Sequence, residues 1–486
     1  MKCAFIIFIL TLAARTTAAQ DTRTVTEPTI PPTCAILQAG RISDAGILSP
    51  EYETSTDTAR IQKALDECAP GHAVELSRGR IQVSTLAIQF IPNAFLSGAL
   101  ELREGVTLLI DKGVTLYASR DPKDFDPNSA ADTKLLCGTL SETLGTDPTP
   151  PGRQCKPLIS LTNVKNAAIM GDGTIDGRGG ATIIGHDYSW WQLARAAEPK
   201  QLRYFSMRLI IATHADGFIL YRITLHNSPN FHVSVNNTDG FTAWGVHVQT
   251  PTIKSADARN TDGIDPGAST NITIAKSWID TGDDNVAIKQ GTTHISVLDN
   301  HFYNGHGMSI GSETFAGDSF LLVDGLTEDH TTSGIRIKSN ATRGGLVHDL
   351  TYRNVCMRSV LIPIAISPFY NNQTVEGFTD PNIPGDRIPD YKKITLQNVI
   401  ATTPGDVLIA GKDATHITEI NLDGVFINQI KPGQIHAQFA HITLDGRGTN
   451  LNFSGNNVTI DTRAAASTTN VDAETKSCSA KFLPMQ

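Results

Sequence analysis

The sequence predicts an all-β fold, a parallel β-helix of the solenoid kind with a short N-terminal capping helix. Three observations predict it. Asn260-Thr261-Asp262, Gly282-Asp283-Asp284 and Gly305-His306-Gly307 place Asp262, Asp284 and His306 at two successive intervals of 22 residues, and Arg336 follows 30 residues later. A repeat of roughly 20–50 residues is the signature of stacked structural units. Short apolar stretches starting at Ile272, Ile295 and Leu321 keep nearly the same step, 23 and then 26 residues. No long 3.6-residue periodicity interrupts them, which argues against a βαβ barrel.

The chain begins with an export signal. Lys2 supplies the charge, Ala4 to Ala14 is apolar with one Thr, and Thr17-Ala18-Ala19 offers small residues for cleavage before Gln20. The apolar run is too short to span a bilayer, and no later run is long enough. Residues 1–19 are thus expected to be a signal peptide, 20–33 a Thr/Pro-rich flexible leader, 34–460 a single β-helical catalytic domain and 461–486 a polar, partly disordered tail. With 486 residues the chain could hold several domains, but a solenoid lengthens by adding coils to one core. The expected product is secreted, or periplasmic in a Gram-negative host, with no membrane association after cleavage. A formal charge of −9, more acidic still once Lys2 and Arg15 are removed, excludes nucleic acid as a natural partner.

Seven cysteines become six without Cys3, an even number that suggests disulfides in an exported protein. Cys137 with Cys155 closes a Gly/Thr/Pro-rich loop, and Cys34 with Cys68 is the next pair. Cys356 with Cys478 follows only by elimination, and Cys356 as a buried free thiol is the alternative. No Cys-x-x-Cys points to zinc.

From Asp57 to Cys68, Ala59, Ile61, Ala64 and Leu65 form one apolar stripe, with Asp57 or Thr56 as N-cap. Such a helix could cover the open first coil, whose backbone groups otherwise lack partners. From about residue 80, apolar strands end in Gly, Asn and Asp. Examples are Val106–Ile110, Ala168–Met170, Phe218–Leu220, Ile272–Ile274, Ile295–Val297, Leu321–Val323, Ile394–Leu396 and Ile420–Leu422. A β-sandwich would need hairpin turns between them, and Asn304-Gly305 is the one candidate noted. Segments 112–156 and 369–393, rich in Asp, Pro and Asn, read as loops that leave the coils and wall a cleft.

If each interval is one coil, neighbouring motifs stack about 4.8 Å apart. Asp262, Asp283 and Asp284 then form a cluster of mutually repelling carboxylates that titrates as a unit, so that one member can serve as acid while others serve as base. Glycoside cleavage needs that combination. Adjacent Asp283 and Asp284 would face opposite ways in a regular strand, so both reach the cleft only if the backbone turns at Gly282. Arg336 and Lys338, two apart, share one face and suit a substrate carrying carboxylates. His306, one coil beyond Asp284, would tune an acid or orient a sugar. Tyr370 stands where a long loop begins and could stack on a sugar face.

Each residue also has a purely structural reading. Asp punctuates β-helix turns, Arg336 and Lys338 could form an internal salt-bridge network with the aspartates, and carboxylates could gather calcium, against which the two cations argue. Asn237-Thr238-Asp239-Gly240 repeats Asn260-Thr261-Asp262-Gly263, so the tetrapeptide alone carries nothing; the downstream motifs distinguish the second copy. Gly171-Asp172-Gly173 and Asp176-Gly177-Arg178-Gly179 lack the helix and the Gly-Lys-Ser/Thr of a phosphate loop.

The four motifs resemble the signature segments of polygalacturonases, the pectin-degrading hydrolases of glycoside hydrolase family 28. The runs 260–266 and 305–313 are most similar to bacterial, endo-acting members, and Gly173 to Gly177, Trp190-Trp191 and the 57–68 helix also fit; the similarity covers roughly residues 34 to 460. The resemblance implies a right-handed parallel β-helix and hydrolysis of α-1,4-linked galacturonan with inversion. By position, Asp283 resembles the general acid, Asp262 and Asp284 the residues that activate water, and His306 the histidine supporting the acid. Arg336, Lys338 and Tyr370 match substrate-binding positions, and Asn260 is grouped with them. The expectation is a monomeric, metal-free enzyme acting on polygalacturonate by an endo mechanism. Exo action would require a loop closing one end of the cleft. A calcium-dependent pectate lyase and a non-catalytic β-helical pectin binder are the rivals.

Overall fold

A computed structural model of the chain describes residues 20–44, 46–80, 82–83, 89–127, 136–144, 154–251, 258–371, 380, 382–463 and 470–485. The expected signal peptide therefore lies outside the described residues.

Strands repeat once per coil and pair in parallel with their counterparts one coil away. An eleven-stranded sheet takes its strands in strict chain order, from Leu100–Glu101 to Ile435–Gln438. A larger 22-stranded sheet wraps the other sides, and antiparallel pairing among the described residues is confined to three two-stranded pairs. The chain is thus a parallel β-helix, and all eight sequence-predicted strands fall within one residue of observed ones.

The core follows from register. Ile264, Val286, Met308, Ile335, Ile364 and Val407 are successive partners across six coils, and all are fully buried. On the opposite sheet Ile272, Ile295, Leu321, Leu350, Ile394, Ile420 and Ile442 form a second such ladder. Because side chains alternate along a strand, the residues between these inward positions must face out, which is what delivers a row of polar groups to one surface.

Helix α1, Thr58–Glu67, buries Ile61 and Leu65 at the N-terminal end. Asp57 occupies its N-cap position without capping it. Its carboxylate instead accepts from the Leu96 amide at 2.9 Å and pairs with Arg41 and Arg60, tying the helix to the coil. Cys34–Cys68 fastens the helix end to the first strand, and Cys137–Cys155 and Cys356–Cys478 are also formed.

Three expectations need correction. The leader is not free within its described part. Asp21 is buried, its amide donates to Ser296 Oγ, and its carboxylate accepts from Thr273 Oγ1 at 2.6 Å. Arg23 then reaches the Phe241 carbonyl and Glu27 accepts from Tyr221 at 2.8 Å, so the leader crosses several coils as a strap. The tail is likewise structured: Val458–Thr462 adds a strand, and helix α3, Val471–Ser479, is capped by Asn470 and anchored through Cys478 beside Ile400 and Phe426. Finally, segment 112–156 is not all loop, since Thr115–Ala118 is a coil strand. Its later part, Leu140–Leu144, pairs antiparallel with Leu202–Tyr204 beside the site described next.

Candidate active site

Four strands of the eleven-stranded sheet carry the site: β1 (Ile264–Gly267), β2 (Val286–Ile288), β3 (Met308–Gly311) and β4 (Ser333–Lys338). The turns entering β1, β2 and β3 hold Asp262, Asp283-Asp284 and His306. The 22-residue interval is one coil: the Gly263 amide donates to the Asp284 carbonyl, and the His306 amide to that of Asp283. On β4, Arg336 pairs in register with Ser309 and Lys338 with Gly311, so the two cations stand one coil beyond β3.

The backbone does turn at Gly282. A Cβ there would run into the Ala258 carbonyl oxygen, and the Gly282 amide donates to Thr261 Oγ1 at 3.0 Å. His306 sits between Gly305 and Gly307, both at positive φ, 61° and 79°. These turns bring both adjacent aspartates to one side. The Asp283 carboxylate lies 3.1 Å from His306 Nδ1 and 3.4 Å from Asn260 Nδ2. Asp284 is almost fully buried: its Oδ1 accepts from Ser309 Oγ at 2.7 Å and Arg336 Nη1 at 2.8 Å, and its Oδ2 from Lys338 Nζ at 2.8 Å. Tyr370 flanks this group, with Lys338 Nζ 5.3 Å from its ring centre. Every residue singled out from the four motifs is thus on one face. In the empty site the cations are engaged by Asp284, so the salt-bridge reading of Arg336 and Lys338 is part of the geometry.

The control behaves differently. Asp239 of the first Asn-Thr-Asp-Gly copy is exposed and accepts from Asn271 Nδ2 at 2.7 Å, away from the acids.

Charge is divided unevenly across the cluster. Burial pushes the Asp262 carboxyl well above the usual carboxylate range, and the nearby charges of Asp265, Asp283 and Asp284 add to it against Lys289. One of its oxygens, Oδ1, is buried without a hydrogen-bond partner. For Asp283, burial opposes ionisation, but His306, Lys338 and Arg336 outweigh it and hold the group well below the ordinary range. Asp284 is likewise brought down to about 2, with Lys338 and Arg336 overcoming burial. The free site therefore holds two carboxylates beside one carboxylic acid, Asp262.

Several members were not legible from the motifs. Asp265, on β1, is buried with both oxygens lacking hydrogen-bond partners, is pushed to about 7 chiefly by burial, and lies 3.7 Å from Lys289. Lys289 could have been found by period, since it neighbours Gly311, which neighbours Lys338. His232, brought down to about 4 by burial, contacts the Asp262 carbonyl at 3.0 Å through Nδ1 and Thr250 Oγ1 at 3.0 Å through Nε2. Tyr204 donates to Asn260 Oδ1 at 3.0 Å and accepts from Asn230 Nδ2 at 2.9 Å. Neither Tyr204 nor His232 belongs to any repeat visible in the sequence.

Asp283, Asp284 and His306 each place one potential ligand atom within 4.8 Å of the others. A dication bound there would have to displace or face the two cations on Asp284, an arrangement better suited to an anion than to a metal.

Comparison with known proteins agrees with this layout. The family profile described as glycosyl hydrolases family 28 matches residues 143–446. An endo-polygalacturonase of Pectobacterium carotovorum subsp. carotovorum is 40% identical over 422 residues, covering 86% of this chain and 92% of its own. A polygalacturonase of Ralstonia nicotianae is 36% identical, covering 88% and 85%. The solved polygalacturonase from Erwinia carotovora ssp. carotovora superposes with a TM-score of 0.71 at 38% identity, over 86% of this chain and 100% of that one. An exopolygalacturonase from Thermotoga maritima shares the fold, with a TM-score of 0.63 at 18% identity over 90% and 94%.

Proposed function

The chain belongs to glycosyl hydrolases family 28, and from that premise we propose that it hydrolyses α-1,4-linked polygalacturonate by endo attack, with inversion, as an exported enzyme that needs no metal. The observation that carries the reading is the contact of Asp284 with both Arg336 and Lys338 beside a second carboxylate, Asp283. An anionic sugar can compete for those two cations, and doing so changes the acids around them.

A galacturonate carboxylate bound by Arg336 and Lys338 neutralises the charges that keep Asp283 ionised and takes the cations away from Asp284. Asp283 then gains affinity for a proton, and Asp262 holds one in the free site. Transfer of that proton within the coupled cluster leaves Asp283 as general acid and Asp262 as carboxylate. Asp283 protonates the glycosidic oxygen. Asp262, with the released Asp284, removes a proton from water as its oxygen bonds to the anomeric carbon and the C–O bond breaks. His306 holds the Asp283 carboxylate in place, and Tyr370 and Asn260 border the sugar. Export rests on the residue 1–19 pattern; among the described residues no helix is long and apolar enough to cross a membrane.

The test is reducing-end release from polygalacturonate with and without chelator, with product sizes followed over time. Mixed oligomers appearing early, with no unsaturated UV-absorbing product and no loss on chelation, are expected. Monomer or dimer alone from the outset would replace endo with exo action. A UV-absorbing product abolished by chelator would indicate a lyase, and binding without new reducing ends a non-catalytic module.

A further inference from the structure

The cleft continues from the acids toward the N-terminal coils. There a cavity of about 240 Å³ is lined by Arg203, Tyr204, Arg208, Asn230, Phe231 and Asn260, among others. Asn260 is the shared wall: its Nδ2 faces Asp283 while its Oδ1 accepts from Tyr204, so the cavity opens beside the proposed acid.

Two guanidinium groups in this cavity have no acidic partner. Arg208 is half-buried, and of its nitrogens only Nε is engaged, 3.2 Å from Asn230 Oδ1. Its guanidinium carbon lies 4.4 Å from the Phe231 ring centre, with Lys289 Nζ 5.8 Å from the same centre. Neither Nη of Arg208 donates to any described residue, and Arg203 makes no hydrogen bond or ion pair among them. Elsewhere in the fold, half-buried arginines of this kind are paired: Arg120 and Arg178 share Glu53, and Arg343 holds Glu313. A planar, partly desolvated guanidinium held by an aromatic ring with its fork open is arranged for a carboxylate supplied from outside.

We propose that Arg208, assisted by Arg203, binds the carboxylate of a second galacturonate residue, on the side of the acids opposite Arg336 and Lys338. The enzyme thus reads two carboxylates, one on each side of its acid cluster, and a methyl ester at the Arg208 position forfeits the contact. This rests on the hydrolase reading above and assigns a specificity-determining subsite to it.

The experiment compares wild type, Arg208→Gln, Arg208→Lys and Arg203→Gln on polygalacturonate and on partly methyl-esterified pectin. Binding of trigalacturonate is measured in parallel by calorimetry, and thermal midpoints report folding. Loss of a charge-assisted hydrogen bond is expected to raise KM on polygalacturonate about tenfold in Arg208→Gln, with kcat within about threefold. Preference for the unesterified polymer should shrink, Arg208→Lys should recover part of the KM effect, and Arg203→Gln should show a smaller effect in the same direction. A merely structural role for Arg208 would lower the thermal midpoint without changing ester preference. An active wild type with unchanged KM, trigalacturonate affinity and ester preference in Arg208→Gln and Arg203→Gln overturns the inference alone. A wild type that neither cleaves nor binds these substrates overturns the hydrolase reading with it.

Discussion

Asp284 and Lys338 are separated by 54 positions in the chain and meet at 2.8 Å, Oδ2 to Nζ, because two further coils carry the chain back to the same face. This contact keeps Asp284 ionised to about pH 2 and holds a cation where a sugar carboxylate can claim it.

Lys338→Gln should therefore do two things. Loss of the cation is expected to raise KM for polygalacturonate by at least about tenfold. It should also let the Asp284 carboxyl rise from about 2, because burial then faces Arg336 as the main opposing charge. A role requiring ionised Asp284 is lost as pH falls through that group's value, so the acid limb of the kcat/KM profile should move to higher pH. A pH–rate profile of the variant checks this; an unmoved acid limb contradicts it.

Glu328 offers a test of stability. It is fully buried beneath β3, where Oε1 accepts from the Met308 amide at 3.2 Å, and burial pushes its carboxyl up to about 8. In the unfolded chain it titrates near about 4.3. Between those values the unfolded state releases a proton that the folded state retains, so this stability is complete below about pH 4 and is lost as pH rises to 8. Glu328→Gln, which stays neutral, should be more stable than wild type by about 3 kcal/mol at pH 8 and nearly equal to it at pH 4. Denaturant unfolding at the two pH values measures the difference.

Cys356–Cys478 joins α3 to a coil strand across 122 residues. Replacing both cysteines with serine should cost about 2–5 kcal/mol of stability by freeing a long loop. kcat should stay close to wild type, since neither residue touches the acid cluster. Thermal unfolding and reducing-end assays on one preparation separate the two effects.

Much of this was legible in the sequence because two periodic signals coincide. Apolar residues at coil spacing announce the stacked core, and Asp262, Asp284 and His306 at the same spacing announce one face. Arg336 and Lys338 followed from strand alternation alone. What stayed hidden lacks a period. Arg208 and Tyr204 enter the cleft from segments with no repeated counterpart. Thr and Pro made the leader read as coil, whereas its order comes from contacts such as Asp21 with Thr273, 252 positions away. Helix α3 has few apolar residues, and a disulfide and its docking surface hold it rather than propensity.

The account depends most on Asp283 delivering the proton, so kcat of Asp283→Asn on polygalacturonate tests it most directly, with thermal unfolding confirming the fold. A loss of at least about 100-fold with the fold intact is predicted, as for removal of a general acid. Turnover within a few-fold of wild type would contradict it.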